Sequence, residues 1–177
     1  MSLRSATAFA PATVGIGFDI LGHTFPAIGD RVRAVRSAQP GVRIRGITGI
    51  ATELPVEAAR NTAGKAVLSL MESQALPFGI ELAIEKGIPL GSGLGGSAAS
   101  AVAAVVAANE LLDQPLMRIE LLKHAIQGEA VASGSSHADN VAPSLFGGLV
   151  LTVAIDIPRI KQIPVPPGIH CVLVHPQ

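Results

Sequence analysis

The sequence contains a glycine-rich run that leads directly into an alanine-rich segment. Four of the six positions from 91 to 96 are glycine, and a backbone without Cβ can turn successive N–H groups toward an anion. A helix that begins there adds free N–H groups and the positive end of its dipole. The run therefore predicts a site for phosphate, and residues 89–97 are called the glycine loop. It comprises Pro89, Leu90, Gly91, Ser92, Gly93, Leu94, Gly95, Gly96 and Ser97, with Ala98 next in the helix.

The glycine loop has three other possible interpretations. A plain strand-to-helix connection is disfavoured, because so many glycines cost conformational entropy without a functional return. A Walker loop ends in Gly-Lys-Ser/Thr, and no Lys follows Gly96. Gly91, Gly93 and Gly96 fit the GxGxxG pattern of dinucleotide folds, but the break at 113–115 leads into a second helix instead of a strand. The phosphate loop remains the favoured interpretation.

Three oxygen-bearing side chains are candidates for chemistry beside this loop. Ser97 offers a hydroxyl that suits helix capping or a magnesium ion carried by phosphates. Glu129 would complete a hard-oxygen magnesium site if it lies opposite Ser97, although a lone Glu is usually a solvated residue. Asp19, in the Gly-Phe-Asp-Ile-Leu-Gly segment at 17–22, could orient a substrate hydroxyl for attack on phosphorus, or be a turn residue.

A second polar segment covers residues 133–140. His137 and Asp139 could be metal ligands, but two residues two positions apart are a weak signal. A Ser/His/Asp hydrolase is disfavoured because the sequence has no GxSxG. A loop that binds the hydroxyl and amino groups of a small molecule is favoured over a hydrogen-bonded turn. The remaining histidines do not cluster and are expected at the surface or satisfied in the core: His23, His124, His170 and His175.

The composition excludes several classes of function. The 177 residues are 49% hydrophobic and 15% charged, which is enough to fill the core of one ordinary domain. Only 3% are aromatic and the net charge is zero, so neither base stacking nor general polyanion binding is expected. Cys171 is the single cysteine, which favours the reducing cytosol. No apolar run approaches the ~20 residues that span a bilayer. We expect a soluble cytoplasmic protein with no nucleic-acid or membrane partner.

The periodicity of apolar residues predicts the elements that position these groups. Residues 32–36 and 42–47 alternate apolar side chains with Arg, and the turn chemistry at 39–41 predicts that they form a hairpin. Helical spacing with a capping Asn61 predicts a helix over 61–74. Other strands are predicted at 6–10, 80–84, 149–155 and 169–174, and other helices at 97–112 and 116–126. Several antiparallel pairings are implied, so the predicted fold class is α+β.

Together these segments resemble the GHMP small-molecule kinases and, within that superfamily, the homoserine kinase family. The resemblance rests on Ala10-Pro11 with the segment 17–22, on residues 89–100, and on residues 133–143 closing on Gly147-Gly148. The glycine loop is typical of the superfamily. The His-x-Asp-Asn-x-Ala-Pro segment resembles homoserine kinases rather than mevalonate or galactose kinases.

The resemblance implies a fold and an activity. The fold would be α+β, with an amino-terminal domain like domain 2 of ribosomal protein S5 and a ferredoxin-like second domain mostly absent from this chain. The implied domains are an ATP-binding domain at 1–155 and the start of a truncated carboxy-terminal domain at 156–177. The activity would be phosphoryl transfer from Mg-ATP to the hydroxyl of L-homoserine in threonine biosynthesis.

The resemblance also assigns roles by position. The glycine loop with Ala98 would bind the ATP phosphates, and Asn61 and Lys86 would lie near the nucleotide base. The metal ligands would be Ser97 and Glu129. The residues facing homoserine would be Asp19, His137 and Asn140, with Asp19 as the catalytic residue. The partners would be ATP and L-homoserine, with a homodimer also considered. Another GHMP kinase and a non-catalytic nucleotide-binding module remain as alternatives.

Overall fold

The computed structural model of the protein describes residues 3–14, 17, 19–134, 138–154, 159–170 and 172. The strands within this part are β1 (Leu3–Thr13), β2 (Leu21–Ser37), β3 (Val42–Gly49), β4 (Gly79–Lys86), β5 (Leu149–Ala154) and β6 (Arg159–Ile163). The helices are α1 (Thr62–Ser73), α2 (Gly96–Asn109), α3 (Arg118–Ser133) and α4 (Val141–Phe146), with a short 3₁₀ helix at Ala58–Arg60. The predicted mixed fold of strands and helices is confirmed.

The long strand β2 organises the sheet. It pairs antiparallel with β1, with β4 along residues 31–37 and with β5 along residues 21–23. β3 lies parallel to β4, and β6 lies antiparallel to β5, so the order across the described sheet is β3-β4-β2-β5-β6, with β1 also on β2. Because β4 pairs with β2 and ends at Lys86, the glycine loop begins beside the middle of β2.

The predicted hairpin between residues 32–36 and 42–47 is wrong. Both segments are strands, but β4 lies between them and pairs with each. The amide of Ile80 donates to the carbonyl of Gly41 at 2.9 Å. A Cβ on Gly79 would lie 1.8 Å from the carbonyl oxygen of Gln39. The connection after β2 therefore wraps around the start of β4 instead of closing a two-stranded turn.

The core lies between one face of the sheet and the helices. Val32 and Ala34 point inward from β2, and Ile80, Leu82 and Ile84 point inward from β4. α2 is buried on nearly all sides because its side chains are mostly Ala and Val, and it packs against α1, α3, β1 and β2. The end of the glycine loop is thus fixed to the most buried helix of the described chain.

His124 is a satisfied core residue. Its side chain is buried in α3, with Nδ1 2.8 Å from the hydroxyl of Ser69 and Nε2 3.3 Å from that of Ser73. Burial lowers the pKa of His124 to about 4, and the nearby Lys123 charge acts in the same direction. His124 is therefore neutral in the folded protein near neutral pH.

Other predicted elements agree in part. The helices at 61–74, 97–112 and 116–126 correspond to α1, α2 and α3, although α3 extends to Ser133. The strand predicted at 169–174 is wrong for its described residues, since Ile169, His170 and Val172 are in no strand and are exposed. The periodicity of the sequence did not predict β6 or the short helix α4. No helix in the described ranges combines the length and the apolar character needed to cross a bilayer.

Candidate functional site

The glycine loop has the backbone conformation that its glycines predict. Gly91, Gly93 and Gly95 have φ angles of 70°, 72° and 55°, in the left-handed region that favours glycine. Gly95 is the N-cap of α2. A Cβ at position 95 would lie 2.5 Å from Cγ of Pro11 and 3.1 Å from Oδ1 of Asn140. The loop therefore packs against β1 and the start of α4 at the same point where α2 begins.

The concave side of the loop forms a cavity of about 380 Å³. Its wall consists of the loop from Pro89 to Ser97, completed by Glu129, Ala132 and Asn140. The amides of the first turn of α2 open at this end of the helix, so their dipoles favour an anion in the cavity. A cavity of this volume with this field is a candidate site for a polyphosphate.

Ser97 and Glu129 meet across two helices. The hydroxyl of Ser97 donates to Oε1 of Glu129 at 2.9 Å. This contact depends on the neighbouring Gly128, where a Cβ would lie 2.4 Å from the carbonyl oxygen of Thr62 and 3.0 Å from Cβ of Ala101. Glycine at 128 thus lets α3 approach α1 and α2 closely enough for Glu129 to reach Ser97.

The second oxygen of Glu129 is buried and has no hydrogen-bond partner in the described structure. Burial raises the pKa of Glu129, and the charge of Asp139 adds to this; the Ser97 hydrogen bond and the Lys86 charge oppose it. A buried carboxylate oxygen without a partner beside an anion cavity is a candidate ligand for a cation. Hydroxyl and carboxylate oxygens are the donors that Mg²⁺ prefers, so Ser97 and Glu129 fit this ion. No group of three or more His, Cys, Asp or Glu side chains in the described ranges forms a separate metal cluster.

A second, mostly apolar cavity of about 270 Å³ adjoins the first. The two cavities share Leu90, Ser97 and Ala132 in their walls. Asn61 lines the apolar cavity and caps α1, accepting from the amides of Ala63 and Gly64 at 3.0 and 3.2 Å. A flat apolar group joined to a phosphate chain could therefore occupy both cavities at once.

Lys86 lines the same apolar cavity but its ammonium group is engaged elsewhere. Nζ is paired with the carboxylate of Asp30, and it donates to the carbonyl of Gly96 at 2.9 Å and to the hydroxyl of Ser100 at 2.8 Å. The side chains of Lys86 and Asp30 are almost completely buried. The charge of Lys86 thus lies beneath the glycine loop.

Asn140 lies at the other end of the cavity. Its Oδ1 is buried without a hydrogen-bond partner in the described ranges, and its side chain does not cap α4. The preceding Asp139 is buried and accepts from the hydroxyl of Thr13 at 2.5 Å. Asn140 therefore presents an unsatisfied amide oxygen next to Gly95, as a group that binds a small molecule would.

Asp19 lies in the connection between β1 and β2. Its φ of 67° is in the left-handed region, which is uncommon for a residue other than glycine. The connection joins the Thr13–Gly22 end of the two strands. A Cβ on Gly22 would lie 1.9 Å from the carbonyl oxygen of Asp139, so this end packs on the turn that carries Asn140. The fold brings Asp19 to the same end of the sheet as Asn140, and His137 lies outside the described residues.

Three residues that the sequence analysis did not assign belong to the surroundings of the site. Thr13 holds Asp139, and Asp30 with Ser100 binds Lys86 beneath the loop. The sequence does indicate that Asp30 is buried, because it lies on the same inward face of an alternating strand as Val32 and Ala34. An acid at a core position of a strand requires a buried partner.

The sequence of this chain is similar to those of known kinases. Residues 61–148 match the family model described as the GHMP kinases N terminal domain. The chain is 54% identical over 176 residues to a homoserine kinase of Xylella fastidiosa (strain M12), covering 98% of this chain and 54% of that protein. It is 43% identical over 187 residues to a homoserine kinase of Chlorobium phaeobacteroides (strain BS1), covering 98% of this chain and 58% of that protein. The chain thus spans about half the length of the curated relatives it matches.

Solved structures show the same relationship. A crystal structure of homoserine kinase from Cytophaga hutchinsonii superposes with a TM-score of 0.86 at 42% identity, covering 94% of this chain and 53% of that one. A mevalonate kinase from Staphylococcus aureus shares the fold, with a TM-score of 0.61 at 21% identity over 85% of this chain and 52% of that one. This chain therefore belongs to the GHMP kinase family and carries its amino-terminal domain.

Proposed function

We propose that this chain provides the ATP-binding part of a homoserine kinase, which transfers the γ-phosphate of ATP to the hydroxyl of L-homoserine in threonine biosynthesis. The observation that carries the proposal is the 54% identity to a curated homoserine kinase over 98% of this chain. The two adjoining cavities support it, because one suits phosphates and the other suits an apolar ring.

ATP would lie across both cavities. The amides of the glycine loop and of the first turn of α2 would hold the phosphates, and the space beside Asn61 would hold the base. Ala98 follows Ser97 in the first turn of α2, where backbone N–H groups have no partner within the helix. The aliphatic part of the Lys86 side chain would then line the nucleotide site, while its ammonium group stays under the loop.

A magnesium ion would be held by Ser97 and Glu129 together with the phosphates. When bound, it would neutralise phosphate charge during transfer. The chain's own contribution is to keep two oxygen ligands in the wall of the cavity, one of them the buried oxygen of Glu129 that has no partner in the described structure.

The acceptor alcohol would be held at the end of the sheet where the β1–β2 connection meets the start of α4. Asp19 would accept or orient the homoserine hydroxyl, and His137 and Asn140 would bind the rest of the molecule. Phosphoryl transfer of this kind depends on positioning and charge stabilisation and involves little covalent work by the protein. Two observations support this placement. Oδ1 of Asn140 is buried without a hydrogen-bond partner in the described structure, and Asp19 lies at the same end of the sheet as Asn140.

The test is ADP release by the purified protein with Mg-ATP, measured with L-homoserine and separately with mevalonate, galactose and shikimate. The proposal predicts turnover with L-homoserine alone, in this chain or in a version extended to the length of its relatives. Turnover with another alcohol would identify a different GHMP kinase. ATP binding by calorimetry without turnover in either version would identify a nucleotide-binding module.

Three further properties belong to the same proposal. We place the protein in the cytoplasm, where a chain with one cysteine stays reduced. We take 1–155 as the ATP-binding domain and 156–177 as the start of a second domain. Light scattering would show whether the protein is a homodimer.

A further inference from the structure

We propose that Asp30 is a positioning residue that fixes the shape of the glycine loop by binding the residues that flank both of its ends. This inference rests on the proposed function, because it assumes that the loop holds the phosphates of ATP. Asp30 lies on β2, not on the loop, and it has no exposed surface. None of its neighbours in the sequence is part of the phosphate site.

One carboxylate oxygen of Asp30 binds the two residues that directly precede the loop. Oδ1 accepts from the amide of Gly87 at 3.0 Å and from the amide of Ile88 at 3.2 Å. These are the residues that lead out of β4 into Pro89. β2 and β4 come unusually close here, since a Cβ on Gly87 would lie 2.3 Å from the carbonyl oxygen of Gly29. The path of the chain into the loop is therefore fixed by Asp30.

The other oxygen binds a residue of α2 just beyond the end of the loop and the ammonium group of Lys86. Oδ2 accepts from the hydroxyl of Ser100 at 2.5 Å and from Nζ of Lys86. Lys86 also donates to the carbonyl of Gly96, the first residue of α2. Residues on both sides of the glycine loop are thus joined through one carboxylate and one ammonium group.

These contacts affect the phosphate site as well as the core, because they hold the two ends of the glycine loop. The glycines at 91, 93 and 95 permit many conformations, so the loop keeps its shape only if its ends are held at a fixed separation. The ion pair is buried, so water does not weaken it or compete for its hydrogen bonds. Asp30, Lys86 and Ser100 therefore give the amides of the loop a fixed arrangement before ATP arrives, which lowers the cost of binding.

The test compares the affinities of ATP, tripolyphosphate and adenosine by calorimetry in the wild type and two variants. Ser100→Ala removes one link and leaves the ion pair, whereas the double variant D30N/K86M removes both charges together, so that neither remains buried alone. Ser73→Ala is the control for the loss of a serine hydroxyl, because Ser73 is an exposed residue at the end of α1 whose hydroxyl contacts His124. Circular dichroism and thermal unfolding establish that each variant is folded.

We expect both variants to bind ATP and tripolyphosphate about tenfold more weakly or worse, with the Ser73→Ala protein unchanged. Adenosine affinity should fall much less than tripolyphosphate affinity, although Lys86 and Ser100 also line the apolar cavity. Folded variants with wild-type affinity for ATP and tripolyphosphate would overturn the inference, and so would an equal loss for adenosine. Unfolding of Ser100→Ala would also overturn it, because the group would then serve the core and not the loop. Failure of the wild type to bind either phosphate ligand would instead remove the proposed function, and this inference with it.

Discussion

The hydroxyl of Ser97, at the start of α2, donates to Oε1 of Glu129, near the end of α3, across 2.9 Å. The other oxygen of Glu129 is buried without a partner in the described structure. Two residues 32 positions apart in the sequence thus form one oxygen-rich edge of the cavity behind the glycine loop. This relationship gives the magnesium proposal its sharpest test.

Replacing Glu129 with Gln should remove the advantage that Mg²⁺ gives to ATP binding. The amide keeps the size of the side chain and can still contact Ser97, but it lacks the negative charge that a cation requires. We expect the ratio of ATP affinities with and without Mg²⁺ to fall about tenfold, or roughly 1.4 kcal/mol, in calorimetric titrations. Glu110→Gln, at an exposed position after α2, is the control. An unchanged ratio in Glu129→Gln would exclude this residue as a magnesium ligand.

Gly95→Ala should be more damaging than Gly93→Ala. Both positions have positive φ, so alanine at either would cost about 1–2 kcal/mol in backbone strain. Only at position 95 would the new Cβ also collide with Pro11, whereas position 93 is open. Urea unfolding should therefore show a larger loss of stability for Gly95→Ala. Equal losses in the two variants would show that the contact with β1 does not constrain the loop.

Asn61→Ala should destabilise the protein by about 1 kcal/mol, because Asn61 caps α1 through the amides of Ala63 and Gly64. Asn61 also donates to the carbonyl of Pro55 at 2.8 Å, which fixes the wall of the apolar cavity. Asn61→Asp keeps the capping oxygen and loses this donor. We expect it to recover most of the stability in urea unfolding, with adenosine affinity still reduced. If the Asp variant were as unstable as the Ala variant, the cap would not be the source of the loss.

The stability of the protein should fall between pH 6.5 and about 4 because of His124. Its pKa is lowered to about 4 in the folded state, so over this range the unfolded chain binds a proton that the folded chain does not. The free energy of unfolding should therefore decrease by up to about 1.4 kcal/mol per pH unit as the pH is lowered. His124→Gln should be less stable at neutral pH but should lack this part of the pH dependence. Urea unfolding at several pH values measures both, and an identical slope in the variant would contradict the assignment.

Local chemistry made much of the site predictable. The glycine loop, the helix after it and the cap at Asn61 each depend on residues within a few positions of one another, and all three are present in the structure. The oxygen chemistry of Ser97 and Glu129 makes them magnesium candidates, and the family resemblance assigns them that role. Their contact depends on Gly128, a close approach of helices that no local pattern reveals. The magnesium assignment itself stays a prediction.

The errors came from long-range pairing. The turn at 39–41 has ordinary hairpin chemistry, and only the arrival of β4 between β2 and β3 separates the two strands. β6 was missed because it is short, and its pairing with β5 supplies the context that its sequence lacks. No role was predicted for Asp30, although its place on the inward face of β2 puts it in the core.

The insertion of β4 between β2 and β3 also constrains the order of events when the chain folds. β3 has no pairing with β2 and can join the sheet only through β4, which follows it in the sequence after the whole of α1. Pairings over such sequence separations form slowly, because the intervening chain must be ordered first. On the ribosome, this half of the sheet cannot assemble until residue 86 has left the exit tunnel, and until then β2 and β3 are strands with unpaired edges exposed to other chains.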